Sequence, residues 1–132
     1  MKDSLYSLSR RERIRKRRDF LLAQERGYRF VCDTMIVLLR ENDYGCNRLG
    51  ITASKRVGNA VKRNRVKRWV REVFRYMKEE LDGGIDLVVI ARKTAPESGL
   101  KKIKDDLHSV LLRKKRKKDL TKDQRKEKTS GF

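Results

Sequence analysis

Apolar side chains recur through the middle of the chain with the period of a helix. In "KRVGNAVKRNRVKRWVREVFR", residues 55–75, and just beyond it, Val66, Val70, Val73, Phe74, Met77 and Leu81 fall within about 60° of Val70 at 100° per residue, and Trp69 borders that arc. This predicts a long helix with one core-facing stripe. Upstream, "RRDFLLAQERG" predicts a short helix over residues 15–26 closed by Gly27, and Ser9 with Glu12 has capping-box spacing for an earlier start. "TMIVLLR" (34–40) is a compact apolar run with strand character. "ENDYGCN" supplies turn residues, and "RLGITAS" (48–54) turns Leu49, Ile51 and Ala53 to one side. Those two strands predict an antiparallel hairpin with a longish turn.

After the long helix, Gly83 and Gly84 break the chain, and "IDLVVIAR" (85–92) reads as a buried strand. Two strands flanking one helix ordinarily lie parallel, so 48–54, the helix and 85–92 form a βαβ unit. "PESG" opens a last helix with Leu100, Ile103, Leu107, Val110 and Leu111 on one face. The predicted order is αββαβα: an α+β sandwich of one small mixed sheet with helices, in one domain over residues 14–112. Residues 1–13 form a basic N-terminal arm. Residues 113–132, opening "RKKRKKDL", have almost no apolar content and are expected to be a disordered basic tail.

Charge sharpens this picture. Lysine and arginine number 37 against 18 acids in 132 residues, a formal net charge of 37 − 18 = +19. Such a field favours nucleic acid or an anionic membrane as partner. No apolar run has the length of a membrane span and no segment has the form of a signal peptide. The apolar faces are sized for a core rather than for lying in a lipid surface. Nucleic acid therefore leads, no membrane partner is expected, and the cytoplasm is the expected location. Cys32 and Cys46 lack CxxC spacing and read as small core hydrophobes.

Charge is also segregated by sign. On one flank of the long helix, between about 60° and 160° from the core stripe, lie Asn64, Lys67, Arg68, Arg71, Arg75 and Lys78. Every one is a cation or an amide. Glu72, Glu79 and Glu80 sit on the back and the other flank. Cations without i,i+4 acid partners repel one another until an anion arrives. At the helix entrance, Gly58 and Asn59 follow a strand and the pair Lys55–Arg56. Backbone N–H groups, the helix dipole and Lys55, Arg56, Lys62, Arg63 and Arg65 together suit phosphate. A merely solvated basic face is the ordinary meaning of a charge run, but sign segregation and the entrance together favour a polyanion site.

"VGNAVKRNRVKRWVREVFR" resembles the RNR motif of the bacterial ribonuclease P protein component. "RLGITASKRVGNAV" resembles the strand leading into that motif, "RRDFLLAQERG" the family's first helix, and "DLVVIARKTAP" its last strand and exit. The likeness runs in order from about Ile14 to Leu112. It implies an αββαβα-type fold, often with an extra short strand, whose βαβ crossover is left-handed against the usual rule. It implies a subunit that joins a catalytic RNA to remove 5′ leaders from precursor tRNA. Lys55, Arg56, Lys62, Arg63, Asn64, Arg65, Lys67, Arg68, Arg71 and Arg75 would contact the catalytic RNA and nearby substrate. A cleft between the first helix and the sheet, with Phe20, Leu38 and Arg17, would hold the single-stranded leader. Phe20 matches the family's first cleft aromatic, and stacking there suits sequence-tolerant binding; a core role for Phe20 fits the pattern equally well. The chain departs from the family at Gln24 and Leu38, where aromatics are frequent.

A protein nuclease needs convergent His, Asp or Glu side chains. The chain has one histidine, His108, beside Asp105 and Asp106 on the last helix, and the trio reads as a solvated flank. No catalytic residue and no directly bound metal is expected in this chain. By the resemblance, hydrolysis belongs to Mg²⁺ held by the partner RNA, the partners are the catalytic RNA and precursor tRNA, and no obligate protein partner is expected. The rival reading is a small basic ribosomal protein, which binds rRNA stably and has no substrate cleft. "RKKRKK" also fits a nuclear import tract, though the composition around it better suits a flexible anion-binding tail.

Overall fold

A computed structural model describes residues 8–81 and 83–119, with side chains through Arg113. The elements are α1 (Arg17–Arg26), β1 (Tyr28–Val31), β2 (Met35–Glu41), β3 (Arg48–Thr52), α2 (Ala60–Met77), β4 (Ile85–Ala91) and α3 (Ala95–Asp119). They form one mixed sheet in the order β1-β2-β4-β3. β3 and β4 are parallel and adjacent across α2, as the βαβ reading requires. The hairpin expected between 34–40 and 48–54 does not form. β4 lies between the two strands and takes all seven residues of β2 in an antiparallel register from Met35↔Ala91 to Glu41↔Ile85. The antiparallel neighbour of β2 along the chain is instead the short strand β1.

The helix side of the sheet carries the main core. Val37, Leu39, Leu49, Leu87 and Val89 meet the predicted stripe of α2, and Val66, Val70, Val73, Phe74 and Met77 are all buried there. From α3 come Ile103, Leu107, Val110 and Leu111. Leu100 is exposed instead, just beyond Gly99, which interrupts the helical backbone. At about 1.5–3 kcal/mol per fully buried large side chain, this layer dominates the stability. Asp106 is not on a solvated flank. It is buried, accepting from the Thr34 amide at 3.0 Å and hydroxyl at 2.5 Å, and so ties α3 to the entry of β2. Asp105 is exposed and His108 half-buried. Cys32 is buried as expected, which pushes its thiol up, whereas Cys46 is only half-buried.

Residues 8–14, at the end of the expected N-terminal arm and the start of the domain, form a strap along the sheet. Leu8 is in the main core, a single 3₁₀ turn spans Arg10–Glu12, and Ile14 enters a second core on the opposite sheet face. Between them Arg13 pairs with Leu49, and the Ile14 amide donates to the Leu49 carbonyl at 2.9 Å. The strap therefore covers part of the open edge of β3, which would otherwise present unpaired backbone groups. Glu12 accepts from the Ser9 amide at 3.0 Å, so the predicted box contact heads this turn and not a longer helix. At the other end α3 continues past Arg113 to Asp119, because lysine and arginine favour helix once a packed turn precedes them. The expected tail beyond it, and residues 1–7, lie outside the described residues.

Candidate nucleic-acid interface

The sheet face away from α2 is built in three rows, which strand register fixes. Arg40, Asp86 and Arg48 form the first, Arg29, Leu38, Val88 and Gly50 the second, and Val31, Ile36, Ile90 and Thr52 the third. α1 covers the second row. Phe20, Ala23 and Ile14 pack there with Leu38 and Val88. Gly50 is required: an added Cβ would stand 2.8 Å from the Phe20 ring and 3.1 Å from Ile14. Leu38 is 4% exposed, so it supports α1 from below and is withdrawn from any ligand-facing role; α1 crosses directly over its strand position. Phe20 is half-buried, packed on the second core beside the third row. Arg17 and Gln24 are exposed on α1.

The third row is more open than the second. Ile36 and Ile90 are half-buried, and Val31 and Thr52 exposed. Ile36 and Ile90 make the row's middle apolar, and Ile90, like Phe20, packs against the second core. Two residues past Thr52, the chain turns at Ser54, whose carbonyl accepts from the Val57 amide at 3.0 Å. Val57 is buried, which fixes the exposed Lys55 and Arg56 at the lip. Gly58 follows with φ of 144°, a value side-chain-bearing residues rarely adopt. Asn59 then caps α2, its Oδ1 accepting from the Lys62 amide at 3.0 Å, so one donor of the predicted phosphate site is already used.

Along α2 the predicted stripe is present. Asn64, Arg65 and Arg68 are exposed, and Lys62, Arg63, Lys67, Arg71 and Arg75 half-buried. Among the described residues Lys55, Arg56, Arg63, Arg65, Lys67, Arg68 and Arg71 take part in no ion pair. Lys62 reaches Glu97 at 3.3 Å, but both are well exposed and such a pair contributes little. The Arg63 Nε is buried without a hydrogen-bond partner among the described residues. Lys78 leaves the stripe. It donates to Glu12 at 2.6 Å in the 3₁₀ turn Lys78–Glu80. Burial acts to raise the Glu12 carboxyl, but hydrogen bonds from Lys78 and Ser9 outweigh it and hold it below its ordinary value. Burial lowers Arg71, and the nearby charge of Arg13 lowers it further.

Cations without an ion-pair partner among the described residues, such as Arg63, Arg65, Lys67, Arg68 and Arg71, make a thermodynamic demand. An anion that binds only the folded chain stabilises it by mass action, by about 1.4 kcal/mol at ten times its dissociation constant. For a domain of this size that raises Tm by roughly 5–10 °C. Millimolar sulfate should therefore raise Tm beyond what chloride does at equal ionic strength. Equal effects of the two salts would leave only general screening.

The first row was not foreseen. Arg48 is 9% exposed and Asp86 0%. Arg48 donates from Nε and Nη2 to Asp86 at 2.8 and 2.7 Å and lies 3.5 Å from Asp19. Asn42 donates to Asp86 at 2.6 Å. These bonds to Asp86 hold Arg48 above its ordinary value. Among the described residues no three His, Cys, Asp or Glu side chains gather as a metal site, and no helix is long and apolar enough to cross a membrane.

Comparison with known proteins agrees with the resemblance. The sequence model of the family described as Ribonuclease P matches residues 8–115, which includes the strap. The chain is 46% identical over 91 residues to the ribonuclease P protein component of Thermotoga maritima, covering 69% of this chain and 78% of that one. It is 44% identical over 86 residues to that of Syntrophus aciditrophicus, covering 65% and 72%. Its fold is similar to the RNase P protein of Staphylococcus aureus, with a TM-score of 0.70 at 35% identity over 76% of this chain and 93% of that one. It is also similar to the RNase P protein from Thermotoga maritima, with a TM-score of 0.68 at 40% identity over 77% and 96%.

Proposed function

This chain belongs to the family of the bacterial ribonuclease P protein component, and on that premise we propose that it binds the catalytic RNA through α2 and a precursor tRNA leader in the cleft. The observation that carries the reading is a row of cations on α2, Arg63, Arg65, Lys67, Arg68 and Arg71, with no ion-pair partner among the described residues, across the sheet from a third row that is left partly exposed. Membership places the chain in an endoribonuclease holoenzyme that matures tRNA 5′ ends. Arg63, Asn64, Arg65, Lys67, Arg68, Arg71 and Arg75 would meet phosphates of the catalytic RNA, with Lys55, Arg56 and Lys62 at the helix entrance. A leader strand would lie along Val31, Ile36, Ile90 and Thr52, with one base stacked on Phe20 and Arg17 near the backbone.

The protein's contribution is electrostatic and positional. Each cation displaces condensed counterions from RNA, so the favourable term is largest at low salt. By lowering repulsion between two polyanions it raises substrate affinity and eases Mg²⁺ binding to the RNA. Hydrolysis would occur at Mg²⁺ held by that RNA, in the cytoplasm, with no catalytic side chain from this chain. Mixing the protein with a bacterial ribonuclease P RNA and precursor tRNA at low magnesium should release the 5′ leader much faster than RNA alone. The protein without RNA should release none. Failure to stimulate, or cleavage by the protein alone, overturns the proposal.

A further inference from the structure

Beyond the stripe and the cleft, a further group of cations lies at the other end of the second sheet face. A pocket of about 590 Å³ is lined there by Arg10, Arg13, Arg15, Lys16, Asp19, Tyr44 and Arg48. That volume falls in the range of sites for small ligands, about 300–1,000 Å³. Arg48 and Asp19 neutralise one another, and Asp86 neutralises Arg48 again from beneath. The four cations of the wall have no ion-pair partner among the described residues. All four are exposed.

Tyr44 adds a flat surface to the charge. Its ring lies over the Arg48 guanidinium at 4.1 Å, a cation–π contact on a side chain itself held by two carboxylates. The residue is nonetheless 55% exposed. An aromatic with one face pinned and substantial area open is a stacking platform for a base.

The strap that walls the pocket also leads to the α2 side of the sheet, where Leu8 joins the main core. The strap crosses the β3 edge from one sheet face to the other, and Arg13 sits on that edge beside Leu49. Its charge is felt at Arg71, across the edge. The acid next to Arg13, Glu12, is taken up by Lys78 at 2.6 Å. By contrast, the open third row and the pocket are separated by α1, since Thr52 and Arg48 are four residues apart along β3, roughly 13 Å.

Resting on the reading of α2 as the surface for the catalytic RNA, we propose that this pocket receives one nucleotide of that same RNA. Its phosphate lies against Arg10, Arg13, Arg15 and Lys16, and its base stacks on Tyr44. The RNA strand reaches the pocket round the β3 edge, past Arg71 and Arg13.

The test measures binding of the full chain to a bacterial ribonuclease P RNA, without substrate, across a salt series. Tyr44→Ala should weaken binding by about 5- to 150-fold, the range of a lost base stack, with the salt slope unchanged. Tyr44→Phe should bind as the parent does. Arg10→Ala with Arg15→Ala should flatten the slope of log affinity against log salt by about one to two units. Those arginines are exposed, so this variant keeps the test valid even if Tyr44→Ala unfolds. The inference is overturned if the arginine pair and Tyr44→Ala bind with parental affinity and slope while Arg68→Ala with Arg71→Ala does not. It is equally overturned if the losses appear only with a leader-bearing precursor tRNA. If the unaltered chain fails to bind the RNA, the function proposed above falls, and this site with it.

Discussion

Replacing Asp86 with alanine should cost the folded state about 3–5 kcal/mol, the usual penalty for stripping one partner from a buried ion pair. The carboxylate is fully buried and takes donors from Arg48 and Asn42, with Arg40 at 3.6 Å. Without it Arg48 keeps one carboxylate among the described residues, Asp19 at 3.5 Å, and the Tyr44 ring. In urea unfolding the midpoint should fall sharply with the m-value unchanged. Replacing both partners, Asp86→Leu with Arg48→Met, should recover most of the loss, because a packed apolar pair removes the stranded charge. A cost below about 1 kcal/mol for Asp86→Ala would mean that water or Asp19 takes over the pairing, and that the first row is not a structural bolt.

That row also shows where sequence reading reaches its limit. The helical stripe from Val66 to Met77 was legible because 3.6-residue periodicity held for about three turns has few competing explanations. The βαβ unit was legible because a strand, a long helix and a strand leave little choice. Sheet order was not. Strands next to each other in sequence are neighbours only about two-thirds of the time, and nothing in "TMIVLLR" says that "IDLVVIAR" will outcompete "RLGITAS" for its edge. The four-residue strand Tyr28–Val31 is too short for alternation to show.

Charged residues misled for a different reason. In a chain so rich in them, Asp86, Arg48, Asp19 and Asp106 look like surface, and only their partners, 29 to 72 residues away, make burial affordable. Arg48 did carry one signal. It alternates with Leu49 in a strand, so it had to face whatever covers the second sheet face. For the candidate site, the α2 stripe was readable by sign segregation, but the cleft floor was not. Val31, Ile36, Ile90 and Thr52 align only through a register that joins four separate segments. Leu38 was placed in the cleft by analogy of position, and α1 buries it.

The remaining large effect separates the two RNA surfaces. Arg68→Ala with Arg71→Ala should weaken binding of the catalytic RNA and flatten its dependence on log salt by about one unit per lost phosphate contact. The loss should be the same for substrates with long and short leaders, since neither side chain lies on the sheet face that holds the third row. Phe20 should behave in the opposite way. Its ring seats on Gly50 and Ile14, so alanine would disturb the second core as well as remove a stacking face. Phe20→Leu is the cleaner change, keeping apolar bulk while losing the flat ring. It should cost up to about 1–3 kcal/mol in affinity for precursors whose leaders span several nucleotides, and almost nothing for mature tRNA. The salt slope should not move, because no charge is lost. A folded Phe20→Leu chain that binds long leaders normally would make Phe20 a packing residue and shift the stacked base to the floor between Ile36 and Ile90. An Arg68/Arg71 variant that loses affinity only for long leaders would mean the leader, not the catalytic RNA, runs along α2.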